Sequence, residues 1–159
     1  MLFQKILDIF SKNNNIKTLF LVDILYMKDL NAIYDFKNGD FIIRQLDSIL
    51  KTNIKELIKE ELKRNIYINI KNTHADVFEI YLLDNLSIEE IVIVKNIIYE
   101  SIVSNNFKLL DNYGTINIDI TIGCAKSEDQ HIKIYAEKAL YNAKLNFIAD
   151  IPLLYVITK

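Results

Sequence analysis

The chain has 159 residues, 51% of them hydrophobic and 25% charged, and 19 basic against 21 acidic residues leave a formal charge of −2. A single domain of this size buries most of its apolar surface in one core, and three Gly with one Pro exclude collagen-like and Pro/Gly-rich disordered chains. Lys95 and Glu100 interrupt the most apolar stretch, Ile88 to Val103, so no membrane-spanning helix is predicted.

The lone Cys124 has no internal disulfide partner, and no Cys/His cluster has zinc spacing, so a reducing cytoplasm is the expected setting. Cys124 is expected as a small buried residue at a strand end. Met1 to Lys5 lacks the features of a secretory signal, so export is not expected. Only Arg44 and Arg64 are arginines, and the lysines are interspersed with acids instead of forming a stripe. Neither favours a nucleic-acid partner.

In chain order, Leu2, Phe3, Ile6, Leu7, Ile9 and Phe10 recur at helical spacing and predict a short first helix. Thr18 to Ile24 is β-rich and apolar up to Asp23, as in a central strand buried on both faces. After Met27-Lys28 the spacing predicts two helices with a break at Asn38-Gly39, the second capped by Asp40. Ile54 to Lys63 reads as a short amphipathic helix or a continuation of the previous one.

Two strand-like runs, Ile66 to Ile70 and Val77 to Leu83, flank the polar Lys71 to Asp76 and predict a hairpin. Ser87 with Glu90 marks the start of a long helix to about Ser104. Ile116 to Ile122 alternates with period two between Gly114 and Gly123, which predicts a strand. His131 to Leu145 predicts a helix, and Leu153 to Ile157 a closing strand. A hairpin set among crossover helices indicates one α+β domain over residues 1–159. The isolated glycines match neither a Rossmann nor a Walker fingerprint.

A few polar positions stand out. Asp23 lies at the end of an apolar strand, where open sheets hold ligands, and Asp76 lies in the hairpin turn. Each alone reads as a structural turn acid. If the first strand lies beside the hairpin, the two converge on a hard cation such as Mg²⁺. Asn31 and Asp40, nine residues apart, offer an amide and a carboxylate suited to a purine edge, although each alone reads as a helix cap. Lys28 and Lys144 offer point charges for a triphosphate, against the ordinary reading of solvated lysines.

These positions carry a resemblance. Val22 to Asn31, continuing to Tyr34 and Gly39-Asp40, resembles the first block of GGDEF domains, the diguanylate cyclase family, with its strand-end Asp, Phe-Lys, Asn and Gly-Asp at matching spacing. His74-Ala75-Asp76-Val77-Phe78 falls where that family has Gly-Gly-Asp-Glu-Phe. Thr121 to Ala125 resembles its next strand, and Ala136 to Lys144 resembles its Ala-Asp-x-Ala-Leu-Tyr-x-Ala-Lys helix. The resemblance spans nearly the whole chain. It implies a cyclase-like palm of about five strands with surrounding helices and a signature hairpin facing nucleotide. In active members two GTP molecules on facing domains are joined, with Mg²⁺, into cyclic di-GMP.

The departures bear on chemistry. His74 and Ala75 replace glycines that let backbone approach phosphate, and are expected to crowd that path or distort the turn. Val77 replaces an acid on which two-metal phosphoryl transfer depends. Leu25 replaces a second Asp, Met27 a Phe, Asp35-Phe36 a Gly-His pair, and Ile148 an Arg of the phosphate clamp. Near Asn65 to Ile68, Arg64 has no Asp at the step an inhibitory product site requires.

What the resemblance leaves is Asp23 and Asp76 as metal ligands and Lys28, Asn31, Asp40 and Lys144 as nucleotide contacts, with no catalytic set. The expected protein is a catalytically degenerate, regulatory GTP-sensing domain that holds Mg²⁺ weakly if at all. It is expected to be a piece of a longer GGDEF or GGDEF–phosphodiesterase signalling protein, with a C-terminal phosphodiesterase domain and a second copy as partners. One alternative is a working cyclase in which His74 or Glu79 replaces the missing acid, although Glu79, beyond Phe78, is not required to face the side of Val77. The other is an interaction module without nucleotide.

Overall fold

The run from Thr18 to Ile24 is apolar on both faces because β1 (Lys17–Ile24) lies in the middle of a five-stranded sheet. The computed structural model describes residues 17–128, 130–147 and 154–158, so the predicted first helix and Ile148 fall outside the described residues. Leu25 and Tyr26 turn the chain directly from β1 into α1 (Met27–Tyr34), with Tyr26 in a left-handed conformation at φ 58°. Then follow α2 (Phe36–Ile49), a wide π-type turn at Leu50–Ile54 and α3 (Lys55–Leu62), one continuous helical path as the continuation reading anticipated. The hairpin is β2 (Ile68–His74) and β3 (Val77–Leu82), and α4 spans Ile88–Val103 behind a complete Ser87/Glu90 capping box.

The remaining elements are the short pair β4 (Phe107–Lys108) and β5 (Thr115–Ile116), then β6 (Ile120–Ser127), α5 (Ile132–Phe147) and β7 (Leu154–Thr158). The main sheet runs β2-β3-β1-β6-β7, antiparallel except for the parallel β6–β7 pair, whose strands α5 connects. The α+β architecture with about five strands is what the sequence predicts.

Period two along the strands divides the core. Phe20, Val22, Ile24, Phe78, Ile80 and Leu82 join α2, α3 and α4 through Ile42, Leu46, Ile58, Ile91, Val94 and Ile98. On the opposite face Leu19, Leu21 and Ala125 meet Ile132, Ala136 and Leu140 of α5, with Val77 and Tyr81 at the edge. Each fully buried large apolar side chain contributes roughly 1.5–3 kcal/mol.

Several boundaries differ from expectation. The helix break lies at Asp35 (φ 80°), not at Asn38-Gly39, and Asp40 sits inside α2 instead of capping it. The cap is Asp35, whose side chain accepts from the Asn38 backbone N–H at 2.9 Å. Gly39 is a close-approach residue: a Cβ there would stand 1.9 Å from Asn31 Oδ1. Gly123 does not end a strand. It lies mid-β6, where a Cβ would stand 2.2 Å from the Leu140 backbone nitrogen, so glycine lets α5 press onto the sheet. Cys124 is accordingly mid-strand and buried, and the predicted strand at Ile116 divides into β5 and β6. The polar Lys71 to His74 stretch, expected as loop, is strand.

Candidate functional site

The site is built where β1 ends. Ladder pairing sets Val77 of β3 and Thr121 of β6 opposite Asp23 of β1, in one row across the sheet. Alternation turns Asp23 toward α5, as it does Leu19 and Leu21, so the carboxylate lies beneath the last turns of that helix. There Lys144 Nζ donates to Asp23 Oδ2 at 2.9 Å. The Ile24 N–H donates to the Asp76 carbonyl at 3.2 Å, which fastens the hairpin turn to the end of β1.

Asp23, Asp76, Lys28 and Lys144, together with Asp29 and residues 24–27, line one open cleft of about 420 Å³. The structure therefore brings together the two carboxylates and the two lysines singled out in the sequence. Asn31 and Asp40 do not line this cleft. Asn31 Oδ1 is buried without a hydrogen-bond partner among the described residues and lies against Gly39, one residue from the exposed Asp40 on α2. Asn31 thus meets the residue that precedes Asp40, while Lys28 and Asp29 of its own helix line the cleft.

Burial pushes the Asp23 carboxyl above its ordinary value; the Lys144 ammonium opposes that rise and the Asp76 charge adds to it. The residue at the expected second acid position is hydrocarbon, since Val77 joins the apolar cluster under α5. Thr121 was not singled out in the sequence. Its hydroxyl is buried with no hydrogen-bond partner among the described residues, and its position is directly opposite Asp23, a placement that only the β1–β6 register reveals.

The hairpin turn keeps two residues, Ala75 and Asp76. Ala75 occupies positive φ at 26°, and the ladder shifts register between Asn72 and His74. Asn72 Nδ2 holds the turn by donating to the carbonyls of Ala75 and Val77 at 3.1 and 3.0 Å. His74 is exposed beside the turn.

Glu79 corrects a sequence expectation, because residues 77, 79 and 81 share the α5 face and Glu79 does face the side of Val77. It is already engaged: Lys133 lies at 2.7 Å and Lys71 at 3.3 Å. Burial opposes its ionisation, but the two ammonium groups outweigh burial and hold the carboxyl below its ordinary value. Arg64 is likewise committed, bonding Asp84 at 2.7 Å and Glu90, and so tying the end of α3 to the start of α4.

The resemblance implies Mg²⁺, and Asp23 and Asp76, the two carboxylates expected to hold it, line the same cleft. One Asp23 oxygen is held by Lys144, the ladder position beside Asp23 is Val77, and among the described residues no three His, Cys, Asp or Glu side chains form a metal-holding group.

No protein-family model and no curated protein matches the chain. Solved structures do. The GGDEF domain of DgcB from Caulobacter crescentus, in complex with c-di-GMP, superposes at a TM-score of 0.71 with 15% identity, covering 97% of this chain and 87% of that one. An EAL/GGDEF domain protein from M. capsulatus gives 0.70 at 18% identity, covering 100% and 98%. The FimX GGDEF domain from Pseudomonas aeruginosa gives 0.67 at 15% identity, covering 99% and 91%. Strand order, signature hairpin and the cleft at the end of β1 come together in one conclusion: this chain has the fold of the GGDEF domains.

Proposed function

We propose that the domain is a catalytically degenerate, guanine-nucleotide-binding module that regulates a cyclic di-GMP signalling protein. The observation that carries the reading is the row Val77–Asp23–Thr121 under Lys144, in which one buried carboxylate is tied to an ammonium and the next position along the ladder is hydrocarbon. Two-metal phosphoryl transfer needs carboxylate charge to hold its ions, and beside Asp76 in the turn this row adds a single acid, already tied to Lys144. Glu79 does not replace the missing one, because Lys71 and Lys133 neutralise it.

Binding survives the loss better than turnover does. Lys28 and Lys144 supply charge for phosphate at the cleft, and the exposed Asp40 carboxylate supplies an acceptor that suits guanine N–H groups, with Asn31 packed behind it against Gly39. The parent protein would carry a partner for this module. An S helix-GGDEF-EAL protein of Vibrio cholerae is among the similar folds, as is the diguanylate cyclase SiaD, solved with its activator SiaC, so both a phosphodiesterase domain and a separate protein are candidates.

Incubation of the purified chain with GTP and Mg²⁺, followed by chromatography, is expected to yield no cyclic di-GMP, and calorimetry is expected to detect GTP binding. Asp40→Ala is expected to weaken that binding by at least about tenfold, the loss of a charged hydrogen-bond partner. Product formation would overturn the degenerate reading, and unchanged affinity in Asp40→Ala would overturn the base-recognition role.

A further inference from the structure

Tyr26 is out of place on local grounds. It occupies the N-cap of α1 in the left-handed region, at φ 58° and ψ 27°, and its side chain makes no capping hydrogen bond. Asn or Asp would enter that conformation more easily and cap the helix as well, whereas a bulky ring there is strained and persists only where the surrounding structure enforces it. Two backbone bonds enforce it here. The Leu25 N–H donates to the Asp119 carbonyl at 2.9 Å, and the Leu30 N–H donates to the Tyr26 carbonyl at 3.0 Å. The ring does not fill the core, because Tyr26 is 63% exposed.

Its surroundings give the ring a use. Tyr26 lines the same cleft as Lys28 and Lys144, and a Cβ on Gly39 would stand 3.2 Å from Cε of Met27, the buried residue that follows Tyr26. The turn of α2 that carries the exposed Asp40 therefore packs on the neighbour of Tyr26. An exposed aromatic face thus shares one cleft with charge suited to phosphate and adjoins the helix pair that bears an acceptor for a base edge.

We infer that Tyr26 is a stacking platform for the base of the bound nucleotide, its ring held at the rim of the cleft at a cost to the fold. This rests on the nucleotide-binding reading above. Every base has a π-face, so stacking adds affinity without choosing among bases, and the choice is left to the Asp40 carboxylate.

The test compares two variants with the unmodified protein. Tyr26→Asn removes the ring and suits the left-handed turn, and Tyr26→Phe keeps the ring. GTP is titrated into each by calorimetry, the magnetic resonance of the guanine ring proton is followed, and urea gives the denaturation midpoint. Tyr26→Asn is expected to bind GTP at least about tenfold more weakly, with a midpoint at or above that of the unmodified protein. Tyr26→Phe is expected to stay within about threefold in affinity. The ring current of residue 26 is expected to move the guanine proton upfield in the unmodified protein and in Tyr26→Phe, and not in Tyr26→Asn.

Several results overturn the inference while the nucleotide-binding reading stands. They are GTP bound as well by Tyr26→Asn, an equal loss in Tyr26→Phe, or GTP bound by the unmodified protein with no upfield shift. A lower midpoint in Tyr26→Asn overturns it too, because the ring would then brace the turn. Absence of GTP binding to the unmodified protein overturns the nucleotide-binding reading and the stacking role together.

Discussion

Lys144 Nζ donates to Asp23 Oδ2 across 2.9 Å, joining the end of the central strand to the last turns of the helix that covers it. The pair is asymmetric: Asp23 is almost fully buried and Lys144 is about half exposed. Burial raises the Asp23 carboxyl above its ordinary value despite the ammonium. A carboxyl raised on folding binds protons more tightly in the folded state, so its contribution to stability falls as pH rises through the ordinary carboxylate range. Asp23→Asn is therefore expected to leave stability at neutral pH unchanged or to raise it by up to about 1 kcal/mol, with Lys144 rehydrating at little cost. Urea unfolding at pH 7 checks this, and a clear loss of stability would show that the ion pair outweighs the burial cost.

The hairpin turn makes an independent prediction. Ala75 has a φ of 26°, a region glycine enters freely and an L side chain enters at a cost. Ala75→Gly is expected to stabilise the domain by about 0.5 to 1 kcal/mol, the relief of strain partly offset by the greater freedom of glycine in the unfolded chain. The midpoint of chemical denaturation reads this directly. An unchanged or lowered midpoint would mean the turn holds Ala75 without strain.

Two glycines separate close approach from backbone conformation. At Gly123 an added Cβ meets backbone of α5 at 2.2 Å, whereas at Gly114 it meets nothing among the described residues within 4 Å but the φ is +87°. Gly123→Ala is expected to cost about 3 kcal/mol, since strand and helix must part, and Gly114→Ala about 1 kcal/mol from conformation alone. Thermal melts of the two variants give the order, and a reversed order would contradict the placement of α5 on β6.

Acid stability should depend on Glu79. Its carboxyl lies below the ordinary value because Lys133 and Lys71 outweigh burial, so its stabilising contribution is present above the unfolded value near 4.5 and is lost as pH falls through the lower folded one. Glu79→Gln is expected to cost about 1 kcal/mol at pH 7, a modest figure because both lysines are about half exposed. Its stability should change less than that of the parent chain on acidification below about pH 4.5. Parallel stability curves for the two proteins would show that Glu79 does not titrate differently on folding.

Much of this architecture was legible from local pattern. The two-faced apolar run of β1, the Ser87/Glu90 box and the hairpin each rest on interactions between residues near in sequence, so their signals survive without tertiary knowledge. Misplaced boundaries share one cause. Gly39 and Gly123 read as breaks because glycine is common at element ends, yet each lies inside an element where a distant backbone or side chain leaves no room for a Cβ. Asp35 looked unremarkable beside Asp40, although its positive φ and its bond to the Asn38 N–H make it the cap.

The site divides in the same way. Residue identity alone determined which charges this protein owns: acids at Asp23 and Asp76, lysines at 28 and 144, and a hydrocarbon at Val77 where a second strand-end acid was expected. Only the folded chain decided which of them meet, because strand register and the seating of α5 on Gly123 set distances between residues more than a hundred positions apart. A carboxylate read from sequence is equally ready for a metal, a lysine or water. Burial next to Lys144 is what assigns Asp23 its partner, and burial is a property of the assembled core, not of any stretch of chain.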